Sequence, residues 1–155
     1  MLLILDEWII HDLQGDNGEE KQEESSAFLY KIREKCDKIC WIRGSKFVHK
    51  YHRLSKNSSS DPKLREKIRF IKDSFIHEPQ KIEFINLDEL NIKVEECRRI
   101  LQRIKDDDHY LIKAYFYLRQ KNIEPIIITT DEKLIETLRK HNIPIQHRDD
   151  FIRTY

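Results

Sequence analysis

Glycine, proline and cysteine are scarce in this chain of 155 residues, with three, four and three copies. Without Gly- or Pro-rich stretches, collagen-like repeats, low-complexity segments and long flexible linkers are excluded. Three cysteines, Cys36, Cys40 and Cys97, cannot all pair within one chain, so a disulfide scaffold is excluded and reduced thiols in a cytoplasmic compartment are expected. A surplus of one charge is also lacking. Lys and Arg number 29 against 28 Asp and Glu, a net charge of +1, which leaves neither a basic coat for nucleic acid nor an acidic tail. Any site for a polyanion must therefore be local. No apolar run approaches the roughly 20 residues that cross a bilayer. Met1-Leu-Leu-Ile-Leu5 has no basic flank and meets Asp6-Glu7 too early for a signal-peptide core, so it reads as a buried strand.

What is present is a balance of 39% hydrophobic and 37% charged residues, suited to one compact, helix-rich domain over residues 1–155. Five short apolar runs, at residues 2–5, 38–42, 81–85, 126–130 and 144–147, alternate with longer amphipathic stretches. That alternation predicts an α/β fold, a central and mostly parallel sheet of four to five strands with helices on both faces. Ala27, Phe28, Ile32 and Cys36 recur at helical spacing behind the acidic stretch 19–24, where a helix dipole favours anions. Phe47, Val48, Tyr51 and Leu54 mark a second helix running into Asn57-Ser-Ser-Ser60, a loop of linker composition. Asp61-Pro62 opens a third with a cap and a first-turn proline, whose apolar face is Leu64, Ile68, Ile71 and Phe75. Val94, Cys97, Ile100, Leu101 and Ile104 predict a fourth, ending at Asp106-Asp107-Asp108. The triplet in turn opens a helix through Tyr110, Leu111, Ala114, Tyr115 and Leu118, and Asp131 caps a last one through Leu134, Ile135 and Leu138.

The isolated carboxylates fall where chemistry is expected. Asp6 directly follows the first strand and Asp131 the fourth, and in an open parallel sheet ligands bind at the carboxyl ends of the strands, where strand order reverses. If the helix opened by Asp106–Asp108 runs antiparallel to the strand it feeds, its start lies at the same edge. Three carboxylates within about 5–6 Å repel by roughly 3 kcal/mol per pair at an effective dielectric of about 20. A divalent cation offsets that repulsion, and all-oxygen ligation points to Mg²⁺ or Mn²⁺. Such an ion could activate water and stabilise the departing oxygen of a phosphodiester.

Leu3-Ile-Leu-Asp6, Asp107-Asp-His-Tyr-Leu-Ile-Lys-Ala114 and Ile128-Thr-Thr-Asp-Glu-Lys-Leu134 together resemble the PIN-domain nucleases, a family that includes the toxins of prokaryotic toxin–antitoxin pairs. The resemblance implies a PIN-like three-layer fold and divalent-metal-dependent hydrolysis of RNA. Its metal ligands would be Asp6, Asp107 or its neighbour Asp108, and Asp131, with Thr129 orienting the loop. RNA, an antitoxin-like protein and a second copy of the chain would be the partners, although no dimer seam is visible. The sequence departs from the family twice. The helix after the second strand usually carries an acid, yet residues 45–57 contain none, and Lys50 or His49 stands in its place. Trp8 replaces the small polar residue two positions after the first acid. Lys50 is expected to supply a fixed positive charge where a second ion would sit.

The same helix, with Arg43 before it, carries Lys46, His49, Lys50, His52, Arg53 and Lys56. Arg43, Lys46, Lys50 and Arg53 could dock a phosphate backbone through charge and counterion release, without reading its sequence. Each feature has a plainer structural explanation. Asp131 and the triplet are good helix caps in any fold, a basic helix can simply be solvated, and Tyr110, Tyr115, Phe116 and Tyr117 suit core packing. The spacing of Cys36 and Cys40 lacks the second pair that a zinc site needs. His109, beside the triplet, is the one histidine placed for catalysis. Two alternatives stand beside the ribonuclease: a degraded PIN-like domain that binds RNA or a protein without cutting, and a phosphatase-like enzyme using Asp6 as nucleophile. The last would need a second Asp at position 8.

Overall fold

The computed structural model describes residues 1–90 and 92–155, the side chains of Ser59 and Glu89 excepted. Five strands form one sheet in the order β3-β2-β1-β4-β5, with β1 at Leu2–Leu5, β2 at Lys38–Arg43, β3 at Ile82–Asn86, β4 at Ile126–Thr129 and β5 at Ile145–His147. All four pairings are parallel. The chain winds outward from β1 to β3 and then crosses back to place β4 on the other side of β1, so strand order reverses between β1 and β4. In parallel sheets that reversal opens a crevice beyond the carboxyl ends of the two strands.

Helices cover both faces, completing the three-layer α/β fold expected from the sequence. Side chains alternate across each strand, and the core divides accordingly. Leu3, Leu5, Ile39, Trp41 and Ile128 meet helices α1 (Trp8–Gln14), α2 (Glu19–Glu34), α3 (Lys46–Asn57), α4 (Pro62–Ile71) and α8 (Arg148–Thr154). Leu2, Ile4, Cys40, Ile42, Ile127 and Ile145 face α5 (Glu95–Leu101), α6 (His109–Gln120) and α7 (Glu132–Arg139). No helix among the described residues is long and apolar enough to cross a membrane.

Local chemistry explains several element ends. Ser45 accepts from the Val48 N–H at the start of α3, and Asp61 accepts from the Lys63 and Leu64 N–H groups at the start of α4. Asp61→Ala is expected to cost about 1 kcal/mol, read as a lower urea midpoint with an unchanged denaturant slope. β5 begins at Ile145 rather than at residue 144 because Pro144 has no N–H for the ladder, although its carbonyl accepts from Ile127 at 3.0 Å.

Three expectations change. The serine loop is not a linker: Ser58–Ser60 forms a 3₁₀ turn with Ser58 buried. The helix expected to reach Ile104 stops at Leu101. Helix α1 was not foreseen, because its seven residues follow the first strand almost without a break and Trp8, Ile9, Ile10 and Leu13 are all buried, which blurs the helical period. Gly15 ends it in the left-handed conformation at φ +91°, its N–H reaching the carbonyls of His11 and Asp12, a termination that suits glycine.

Candidate functional site

The crevice at the ends of β1 and β4 is a cavity of about 450 Å³. Asp6, Asp107, Asp108 and Asp131, drawn from three separate segments, all line it, together with Glu7, His11, Lys46 and Lys105. Asp6 is the most constrained. It is only 8% exposed, and its Oδ1 accepts from the Tyr110 hydroxyl at 2.7 Å and from the Glu7 N–H at 2.6 Å. Its Oδ2 accepts from the Thr129 hydroxyl at 2.7 Å. Burial, with Asp6 alongside, holds the Tyr110 hydroxyl well above its ordinary pKa, so it remains a donor at neutral pH. Tyr110 is thus both the core residue its apolar neighbours suggested and a direct partner of the first acid.

Thr129 couples the two strands. Its hydroxyl donates to Asp6 and accepts from the Asp131 N–H at 3.1 Å, which sets the loop after β4 relative to the end of β1. Asp131 caps α7, accepting from the Leu134 N–H at 2.9 Å, and also takes Lys105 Nζ at 3.1 Å. The Leu134 bond, aided by Lys105, holds the Asp131 carboxyl below the usual carboxylate range.

Asp108 behaves in the opposite way. Desolvation, followed by the negative charges of Asp6 and Asp131, pushes its carboxyl up to about 6. Asp107 turns aside to pair with Lys46, a contact that raises the Lys46 pKa. The two neighbours left open by the sequence therefore differ: Asp108 shares the field of Asp6 and Asp131, whereas Asp107 neutralises a lysine. Below about pH 4 Asp108 is protonated in both the folded and unfolded chain and costs nothing. As pH rises from about 4 to about 6 the unfolded chain loses this proton first, so folding stability falls across that window and the penalty persists above it. Asp108→Asn should remove the penalty, raising stability at pH 7 by about 1–2 kcal/mol once solvent screening is allowed for. Urea midpoints at pH 4 and pH 7 check this.

The basic helix splits by direction. Lys46 lines the cavity, and Lys50 is turned toward the start of α1, its Nζ lying 3.0 Å from Glu7 Oε2. Arg43 and Arg53 are exposed, Arg43 lying over the Phe84 ring at 5.6 Å. His109 is turned away from the crevice, its Nε2 against the Leu101 carbonyl at 2.9 Å, where it closes the end of α5. Trp8 is buried and donates its indole N–H to the Ile128 carbonyl at 2.9 Å. The three cysteines are free, with Cys36 exposed and the other two buried.

Sequence reasoning missed Glu7, His11 and Lys105. Glu7 had a signal, being an acid one residue beyond a strand-end acid where the chain turns into α1. His11 had none, since only the angle of α1 brings it to the cavity.

As the side chains lie, no group of three or more His, Cys, Asp or Glu among the described residues is gathered to hold a metal ion. The reason is visible in their partners: Lys46 draws Asp107 aside, Lys105 and the α7 cap take Asp131, and Asp6 is oriented by Tyr110, Thr129 and the Glu7 N–H, which leave one of its roughly four acceptor sites open. The donor set nonetheless fits a hard divalent ion. It is all carboxylate, it lies at the crevice, and the raised Asp108 marks a buried acid whose charge Lys105 and Lys46 offset only in part. Rotation of the Asp108 and Asp131 side chains is what ligation would require. No protein-family model matches the chain, and a search of curated proteins finds no match.

Proposed function

We propose that the chain is a divalent-metal-dependent endoribonuclease of PIN type, with Asp6, Asp108 and Asp131 as the principal ligands and Asp107 as the adjoining acid. The observation that supports this reading best is the convergence of Asp6, Asp108 and Asp131 on one cavity at the sheet's switch point, where the charges of Asp6 and Asp131 help to raise the Asp108 carboxyl. A bound Mg²⁺ or Mn²⁺ supplies Lewis acidity toward the scissile phosphodiester. Asp6, clamped by Tyr110 and Thr129, offers a carboxylate of fixed orientation. Asp108, whose carboxyl burial and the charges of Asp6 and Asp131 push up to about 6, gains most from a cation beside it, which would hold it ionised. Lys46 and Lys105 place positive charge at the mouth for the incoming phosphate, and the exposed Arg43 and Arg53 extend that charge along the backbone.

Incubating the chain with mixed-sequence single-stranded RNA tests the reading. Cutting with Mn²⁺ and none with chelator is expected, and intact RNA at every Mn²⁺ concentration would refute it. A second reading, a PIN-like module that binds RNA or a protein without cutting, is favoured by the three lysines that already neutralise carboxylates around the cavity. Tight RNA binding in chelator together with intact RNA in Mn²⁺ is its signature.

A further inference from the structure

The crevice does not end at the carboxylates. A second cavity, of about 240 Å³, adjoins it and shares Lys105, Asp108 and Asp131 as a common wall. Past that wall its lining comes from residues 102–104, on the stretch between α5 and α6, and from Lys133, Leu134 and Thr137 of α7. The two sides of the wall differ in charge. Toward α1 and α3 the first cavity adds Asp6, Glu7 and Asp107 against Lys46 and His11. Beyond the wall the second cavity adds Arg103 and Lys133 and no acid. Both are exposed, and among the described residues neither forms an ion pair, whereas Lys46 and Lys105 are already matched to Asp107 and Asp131. A phosphodiester strand leaving the carboxylates is therefore repelled on one side and attracted on the other. The cationic side is also held in place. His109 Nε2 meets the Leu101 carbonyl at 2.9 Å, the Arg103 N–H donates to the Ile100 carbonyl at 2.9 Å, and the Asp108 N–H donates to the Lys105 carbonyl at 3.0 Å, so the backbone carrying Arg103 is tied at both ends.

We propose that this second cavity is the nucleotide subsite beside the scissile phosphodiester. Arg103 and Lys133 each hold a backbone phosphate, the half-buried Ile104 supports the ribose or base between them, and the single strand leaves the carboxylates over the start of α7 rather than over α1. The inference rests on RNA being the polymer that enters the crevice, as proposed above. It goes further by assigning the side of the crevice that grips the strand, on residues outside the basic helix α3. The size agrees: below the roughly 300–1,000 Å³ of sites for drug-sized molecules, the cavity suits one nucleotide unit. Contacts of this kind position the backbone without reading its sequence.

Fluorescence anisotropy of labelled, mixed-sequence single-stranded RNA tests the inference without reference to cutting. Ca²⁺ replaces Mn²⁺, so that the carboxylates are neutralised while binding is read, and the titration is repeated across salt concentrations. Arg103→Ala and Lys133→Ala should each weaken binding about threefold. Each should also flatten the slope of log affinity against log salt by about 0.7, the value for one phosphate contact on a single strand, and the double variant by about twice that. Lys31→Ala with Lys72→Ala removes the same charge from exposed positions on α2 and on the turn after α4, and should leave the slope unchanged. A native slope in the Arg103 and Lys133 double variant, or equal flattening in the Lys31 and Lys72 pair, would each overturn the inference. Absence of RNA binding by the native chain would remove the RNA reading, and this inference with it. Binding that depends on Arg103 and Lys133 while RNA stays intact at every Mn²⁺ concentration would instead refute the nuclease reading and leave the subsite standing.

Discussion

Asp6→Asn is expected to lower Mn²⁺-dependent RNA cleavage by roughly 10²- to 10³-fold, equivalent to about 3–4 kcal/mol of transition-state stabilisation. The substitution keeps the shape of the side chain and an oxygen that can accept one hydrogen bond, so the Tyr110 or Thr129 contact partly survives. What it removes is the charge. It also sets an amide N–H₂ against one of two hydroxyls that now donate, which turns the group by half a rotation or leaves a donor unpaired. Tyr110→Phe and Thr129→Val take away the orienting bonds and leave the charge, and each should cost about 10- to 100-fold, the range for partners of a ligand rather than for the ligand itself. Initial rates at saturating Mn²⁺ distinguish the two classes. Wild-type rates in Asp6→Asn would show that the cavity is not where RNA is cut.

Replacing Arg148 should have the largest effect on stability. Its guanidinium is only 2% exposed and reaches Asp12 Oδ2 at 3.0 Å, Glu24 Oε2 at 2.6 Å and Asp149 Oδ1 at 2.7 Å, with Ser25 Oγ at 3.0 Å and the Lys21 carbonyl at 3.2 Å. It also lies over the Trp8 ring at 5.5 Å. One side chain therefore ties α8 to α1 and α2, and α1 starts two residues after Asp6. Arg148→Met should cost about 3–5 kcal/mol, because Asp12, equally buried, is left as an uncompensated charge with only Ser25 and Asn17 as donors. That is a large share of the roughly 5–15 kcal/mol that holds a domain together. The double variant Asp12→Asn with Arg148→Met should recover part of the loss, since the stranded charge is gone. An unfolding free energy, from urea titration, within about 1 kcal/mol of the native value would mean that the network is only decorative.

Several parts of this architecture were legible in the residues. The run Leu2–Leu5 and the isoleucines 126–128 announced two buried parallel strands, and Asp61-Pro62 announced a helix start, because strand burial and helix capping depend on neighbours in sequence. The alternation of strands and helices implied a parallel sheet and the edge at which Asp6 and Asp131 would fall, whereas the reversal of strand order between β1 and β4 is visible only in the structure. Helix α1 escaped because seven residues buried on several sides carry no clear period. Arg148 was invisible for a related reason: apart from the adjacent Asp149, its partners lie 123–136 positions away, and nothing local distinguishes it from a surface arginine.

Sequence alone determined that Asp6 and Asp131 stand at strand ends, that Asp106–Asp108 open a helix, and that no acid lies on α3. Backbone periodicity and capping are short-range, so they can be read from the chain in order. Only the tertiary structure decided which triplet acid shares the field of Asp6, that Glu7 and His11 enter the cavity, and that Lys46 lines it and Lys50 turns toward α1 while Arg43 and Arg53 stay in solvent. Those choices depend on Coulomb forces and burial between segments that meet only when the sheet closes, and such forces vary with distance in space, not with separation along the chain.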